Sequence, residues 1–109
     1  MYKVLLVCYV NPKIGLGHLS RLLSLAQTLK KDKKVVPEFL IFGDLIKKDE
    51  LNNFKVHNFS ADSNFALTIE NLLKRNNFNG IVFDIYHSHN ISNLDNLFIE
   101  LKKQNIFII

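Results

Sequence analysis

The chain has 109 residues, enough for one domain with a single hydrophobic core and no room for a second. Apolar residues make up 48% of it and charged residues 22%, with four Gly and two Pro, a balance that excludes a disordered, fibrous or low-complexity protein. A net charge of +4 and a pI near 9.3 would suit nucleic acid, but the lysines fall in short clusters: Lys30, Lys31, Lys33 and Lys34, then Lys47 and Lys48, then Lys102 and Lys103. Cations grouped this way complement helix C-termini, so the expectation is solvated helix ends and no nucleic-acid partner.

The single Cys8 lies in an apolar run, which allows no disulfide within the chain and points to a buried, inert thiol in a reducing compartment. Val4 to Val10 is too short an apolar run to span a membrane, and the start lacks the regions of a signal peptide. A cytoplasmic protein without a membrane span is expected.

In chain order, Lys3 to Val10 (KVLLVCYV) is near-continuously apolar and valine-rich, which predicts a strand buried on both faces, as in a parallel sheet. Leu19, Leu22, Leu23, Leu25, Ala26 and Leu29 mark one face of a helix that ends at the lysine-rich KKDKK. Glu38 to Phe42 (EFLIF) reads as a second strand with Pro37 at its start rather than within it. A short helix over Asp44 to Leu51 and a weak third strand over Lys55 to Phe59 follow. Asp62 or Ser63 can cap a helix running to Arg75, with Phe65, Ala66, Ile69, Leu72 and Leu73 on one face. Gly80 opens a strand through IVFDIY. A last helical pattern after Ser92 runs through Ile91, Leu94, Leu97, Phe98 and Leu101, and the chain closes on the apolar NIFII.

This alternation predicts an α/β fold, a Rossmann-like three-layer sandwich on a parallel sheet of order 3-2-1-4-5. Ligands of such sheets bind beyond the carboxyl ends of the strands where the order reverses, between strands 1 and 4. Asn11, His18 and Arg21 follow the first of these; Asp84, Tyr86, His87, Ser88 and His89 end the second. An ionised Asp84 near a core needs a partner or a substrate contact.

The loop NPKIGLGH, residues 11–18, admits three readings. As a dinucleotide fingerprint it has Gly15-x-Gly17 and Ser20 in place of the third glycine, with Asp44 as the ribose-binding acid, although the glycines stand far from the strand. As an ordinary turn, Gly15 and Gly17 merely permit the bend, His18 helps cap the helix and Arg21 is surface. As an active site, the glycines let a ligand approach, His18 at a helix N-terminus acts as a general base, and Arg21, three residues on, faces an anionic group. His87 and His89 are read as solvated or substrate-facing; no metal or cofactor is assigned.

Ile14-Gly15-x-Gly17-His18-x-x-Arg21, followed by Leu25-Ala26, resembles the N-terminal signature of the UDP-diacetamido-trideoxy-altropyranose hydrolases of pseudaminic acid biosynthesis and of related spore-coat polysaccharide proteins. Ile81-Val82-Phe83-Asp84-Ile85-Tyr86 is similar to that family's strand ending in Asp-x-Tyr. The resemblance implies the N-terminal half of a GT-B glycosyltransferase-like fold, residues 1–109, with the C-terminal nucleotide-binding domain absent. It further implies hydrolysis of a UDP-sugar at its anomeric carbon, or a related glycosyltransferase activity in bacterial surface polysaccharide synthesis. Carried over, His18 and Tyr86 are catalytic with Asp84 in support, and Gly15, Gly17, Arg21, Asn11 and His87 bind substrate. The chain alone would be inactive, completed by a second domain or by self-association through its terminal strand. A non-catalytic binding or regulatory domain and a dinucleotide-binding module remain the alternatives.

Overall fold

The computed structural model describes residues 2–11, 16–44, 49–85 and 94–109. Five strands, β1 (Tyr2–Val10), β2 (Val35–Gly43), β3 (Lys55–Phe59), β4 (Gly80–Asp84) and β5 (Phe107–Ile108), alternate with three helices, α1 (Leu16–Lys30), α2 (Phe65–Arg75) and α3 (Leu94–Lys103). All strand pairs are parallel and the sheet order is β3-β2-β1-β4-β5. The chain is therefore a Rossmann-like α/β protein with the strand order that the alternation predicts.

Side-chain alternation along the strands divides the core into two layers. Val4, Leu6, Cys8 and Val10 of β1 join Phe39 and Ile41 of β2 beneath α1, which contributes Leu19, Leu22, Leu23 and Ala26. On the other face Leu5, Val7, Leu40, Phe42 and Ile81 meet α2 and α3 through Phe65, Ile69, Leu72, Leu73, Leu97 and Leu101. Because β1 is paired on both edges and covered on both faces, Leu5, Leu6, Val7 and Cys8 are fully buried. Truncating any one of them to a smaller residue would leave a cavity without the means to collapse.

Aromatic rings close the second layer toward the carboxyl ends of the strands. Tyr9 stacks on Phe42 and Phe65 with centroids 5.0 and 5.8 Å apart, and Phe83 bridges Phe65 and Phe98 at 5.9 and 5.6 Å. This wall holds the ends of β1, β2 and β4 at fixed spacing. Gly43 does the same at backbone level: its φ is +111°, and a Cβ there would lie 2.1 Å from the Val10 carbonyl oxygen. The Val10 carbonyl accepts from the Asp44 N–H at 2.9 Å, so only glycine lets β2 end this close to β1.

Several local expectations are corrected. Pro37 lies inside β2, opposite Val4. The Tyr2 N–H bonds the Lys34 carbonyl, so even-numbered β2 residues face β1 and odd-numbered ones face β3, whose pairing begins only at Glu38 and Lys55. The missing proline donor falls where no partner strand yet exists. The α2 cap is Asn64 rather than Asp62 or Ser63, its Oδ1 accepting from the Leu67 N–H at 3.0 Å. After β2 the described helical piece is a 3-10 turn, Asp49–Asn53, that buries Leu51; the rest of the expected helix falls on residues 45–48, outside the described residues. Asn105, with φ 58°, ends α3 in the left-handed conformation. It brings the Ile106 N–H onto the Leu101 carbonyl at 3.0 Å and turns the chain into β5.

One buried carboxylate ties the lower half of the sheet together. Glu38, 3% exposed, accepts from Lys3 Nζ at 3.1 Å on one oxygen and from His57 Nε2 at 2.9 Å on the other. Lys3 also lies over the Phe78 ring, 5.0 Å from its centroid. Burial alone would raise the Glu38 pKa, but the bonds from His57 and Lys3, with the charges of Lys3 and Lys55, hold it below the ordinary glutamate value. A folded value below the unfolded one contributes stability above the unfolded pKa and loses it as pH falls toward the folded value. Glu38→Gln is expected to cost about 2 kcal/mol at neutral pH. In urea denaturation the deficit against wild type should narrow once pH drops below about 4; an equal deficit at pH 7 and pH 3 would show that ionisation of Glu38 is not what stabilises β3.

Candidate functional site

The carboxyl end of β4 places a partly buried carboxylate, Asp84, at the rim of the sheet. Asp84 pairs in register with Cys8, so its side chain emerges on the α1 face of the sheet, where the first turns of α1 pass. His18 and Arg21, three residues apart on that helix, both reach it. His18 Nδ1 donates to Asp84 Oδ1. Arg21 closes a fork over the same carboxylate, Nε to Oδ2 at 2.9 Å and Nη2 to Oδ1 at 2.8 Å. The i, i+3 spacing read in the sequence thus becomes one three-residue cluster joining α1 to β4.

Exposure differs sharply across the cluster. The His18 and Asp84 side chains are 14% and 19% exposed, and that of Arg21 is 63% exposed. The Asp84 pKa lies below the ordinary aspartate value, first because of the Arg21 hydrogen bonds and then because of His18, which together outweigh partial burial. Asp84 is accordingly an anion at neutral pH, and a carboxylate only accepts. Its bond to His18 therefore requires the proton on Nδ1, which leaves Nε2 as the basic nitrogen of the neutral ring. A carboxylate that fixes the tautomer and orientation of a histidine, and stabilises the imidazolium once formed, is the arrangement that makes the other nitrogen a general base.

Cys8 lies beside Asp84 but takes no part in this chemistry. Burial, and secondarily the Asp84 charge, pushes its thiol up to about 12, and it is fully buried.

Gly17 is not in the turn. It is the second residue of α1, and among the described residues a Cβ placed on it would meet nothing nearer than Arg21 Nη1 at 3.9 Å, an ordinary contact. Among the described residues neither crowding nor backbone conformation calls for glycine at this position, unlike Gly43. The side of α1 that carries His18 and Arg21 is left without a Cβ one residue before the histidine.

Asn11 directly follows β1 and is half-buried. Asp44, the candidate ribose-binding acid, is exposed just past the end of β2. Gly15, Tyr86, His87, Ser88 and His89 lie outside the described residues. The sequence reading had His18, Arg21 and Asp84 but not the forked Arg21–Asp84 pair; it missed Gly43, whose signal was a glycine at the end of a strand, and the Lys3–Glu38–His57 cluster, whose signal was an acid within an apolar strand. Among the described residues no group of three His, Cys, Asp or Glu is placed to hold a metal ion, and no helix is long and apolar enough to cross a membrane.

Two measurements test this geometry. Gly17→Ala should leave the fold intact or stabilise it by up to about 1 kcal/mol, as helix propensity dictates, while weakening any ligand that approaches the α1 backbone; a loss of thermal stability would mean that the glycine serves the fold instead. The Cys8 thiol should react with a disulfide reagent at pH 8 at least about a hundredfold more slowly in the native chain than in urea, and equal rates would contradict its burial beside Asp84. Compared with known proteins, the chain matches no family model, no curated protein and no solved structure.

Proposed function

We propose that the chain is the N-terminal, GT-B-like half of a nucleotide-sugar hydrolase or related glycosyltransferase-like protein, cleaving a UDP-sugar at its anomeric carbon in concert with a nucleotide-binding second half. The observation that carries this reading is the His18–Asp84 bond at the switch point of the sheet. It supplies a positioned general base in the crevice where open α/β sheets bind ligands.

In this mechanism Asp84 holds Nδ1–H of His18, and Nε2 accepts a proton from a water molecule as that water attacks the anomeric carbon. The bond from that carbon to the distal phosphate oxygen breaks, and its electron pair leaves with UDP. His18 is the catalytic residue; Asp84 is a positioning residue acting through it. Arg21, cationic and exposed on the first turns of α1, is suited to the anionic leaving group. The motifs around His18 and Asp84 support the same assignment through their resemblance to the hydrolases of pseudaminic acid biosynthesis, in which Tyr86 and His87 would complete the substrate pocket.

A dinucleotide-binding role is the second reading, and the place of Asp44 just past β2 favours it. Against it, the side chain that follows Gly17 is a histidine engaged with β4 rather than a spacer in a phosphate-binding turn.

UDP release from UDP-N-acetylated sugars, measured on the protein reconstituted with its nucleotide-binding half, decides between them. His18→Ala should lower turnover by at least about a hundredfold, as removal of a general base does, with KM changed far less. Unchanged turnover would refute the base assignment, and saturable NAD binding by the chain without UDP-sugar cleavage would establish the second reading.

A further inference from the structure

The three-residue cluster contains an electrostatic conflict. Arg21 Nη2 and His18 Nδ1 both converge on Asp84 Oδ1, and the two nitrogens approach each other to 2.7 Å. Nδ1 has a single position for a proton, and that proton is committed to the carboxylate, which cannot donate. The Arg21–His18 approach is therefore one donor facing another across a shared acceptor. It is tolerable while the ring is neutral. Once Nε2 takes a proton, an imidazolium confronts a guanidinium at this separation, and the single Asp84 charge is divided between two cations.

Arg21 and His18 thus compete for the single Asp84 charge for as long as Arg21 occupies the carboxylate. The guanidinium is the most exposed member of the cluster: its side chain is 63% exposed, whereas its partner carboxylate is 19% exposed. The first turn of α1 contains no acidic residue, so an approaching anion meets Arg21 and the positive end of the helix dipole without a competing carboxylate on that turn. Phosphate oxygens accept the same forked pair of N–H bonds that Asp84 accepts.

We propose that Arg21 is an exchangeable clamp: without ligand it neutralises Asp84, and the pyrophosphate of a bound nucleotide draws it away, leaving Asp84 to His18 alone. Binding of the anionic leaving group then switches on the base, so water is activated only when a substrate with a phosphate to expel is in place. The inference rests on the hydrolase reading above and adds to it a gate operated by the substrate. Among the described residues the charged and titratable groups at the gate are His18 and Arg21 from α1, Asp84 from β4 and Cys8 from β1, whose neutral thiol adds no charge.

The test follows the Asp84 carboxyl carbon by NMR as a function of pH, in wild type and in Arg21→Gln, with and without inorganic pyrophosphate. Asp84 should titrate below the ordinary aspartate value in wild type and move upward in Arg21→Gln. Saturating pyrophosphate should move the wild-type titration upward as the substitution does, and should leave that of Arg21→Gln where it was. Pyrophosphate that perturbs the amides of residues 16–21 without moving the Asp84 titration would overturn the clamp, as would the absence of any perturbation at millimolar concentration. A titration of Asp84 indifferent to Arg21→Gln would do so too. The hydrolase reading fails separately: a working clamp with no UDP release on reconstitution refutes the reaction and leaves the clamp, whereas UDP release with an unmoved Asp84 titration refutes only the clamp.

Discussion

The position of β1 between two parallel neighbours is the constraint on which the rest of this structure depends. Parallel pairing cannot be closed by a hairpin, so each step from strand to strand needs a crossover that packs on one face of the sheet. With β2 on one side of β1 and β4 on the other, the crossover through α1 lies on one face and those through α2 and α3 on the opposite one. The strand is buried all round, and the polar residues that follow it have only its carboxyl end at which to emerge. The candidate site lies where the strand order reverses, between β1 and β4.

At that end a partly buried charge does the rest. Asp84 belongs to an otherwise apolar strand, directly opposite the fully buried Cys8. An ionised carboxylate in such a place is costly unless it is bonded, and α1 brings donors to it. His18 and Arg21 satisfy it, and in doing so they fasten the start of α1 to the end of β4 across the reversal point. The interaction that stabilises this corner is the same one that holds the His18 proton on Nδ1.

The two carboxylates of the sheet invite comparison. Glu38 is buried and saturated from both sides by Lys3 and His57, with little to gain from exchange. Asp84 sits at the rim, with one largely buried partner and one exposed partner. Both are held below their ordinary pKa by cationic neighbours, yet only the second is built so that an incoming anion can compete for one of those neighbours. Burial separates an ion pair closed to solvent from one that solvent reaches.

How much of this was legible beforehand follows from the range of the interactions involved. The strands, the helices, the sheet order and the apolar faces come from periodicity and from the rule that parallel strands need crossovers, and these act over a few residues or through the chain's connectivity. The apolar face Phe65, Ala66, Ile69, Leu72 and Leu73 of α2 was recovered for that reason, without the buried Thr68 beside it. Local signals failed where a neighbour in space made the choice. Pro37 is tolerated because β3 starts one residue later, Asn64 displaces two equally good caps, and Gly43 is required by the Val10 carbonyl of an adjacent strand. Likewise, the sequence by itself determined that His18 and Arg21 share one side of a helix and that Asp84 ends a buried strand. Only the tertiary structure decided that they meet, because their hydrogen bonds span more than sixty positions of chain and depend on the register between β1 and β4, which no local pattern encodes.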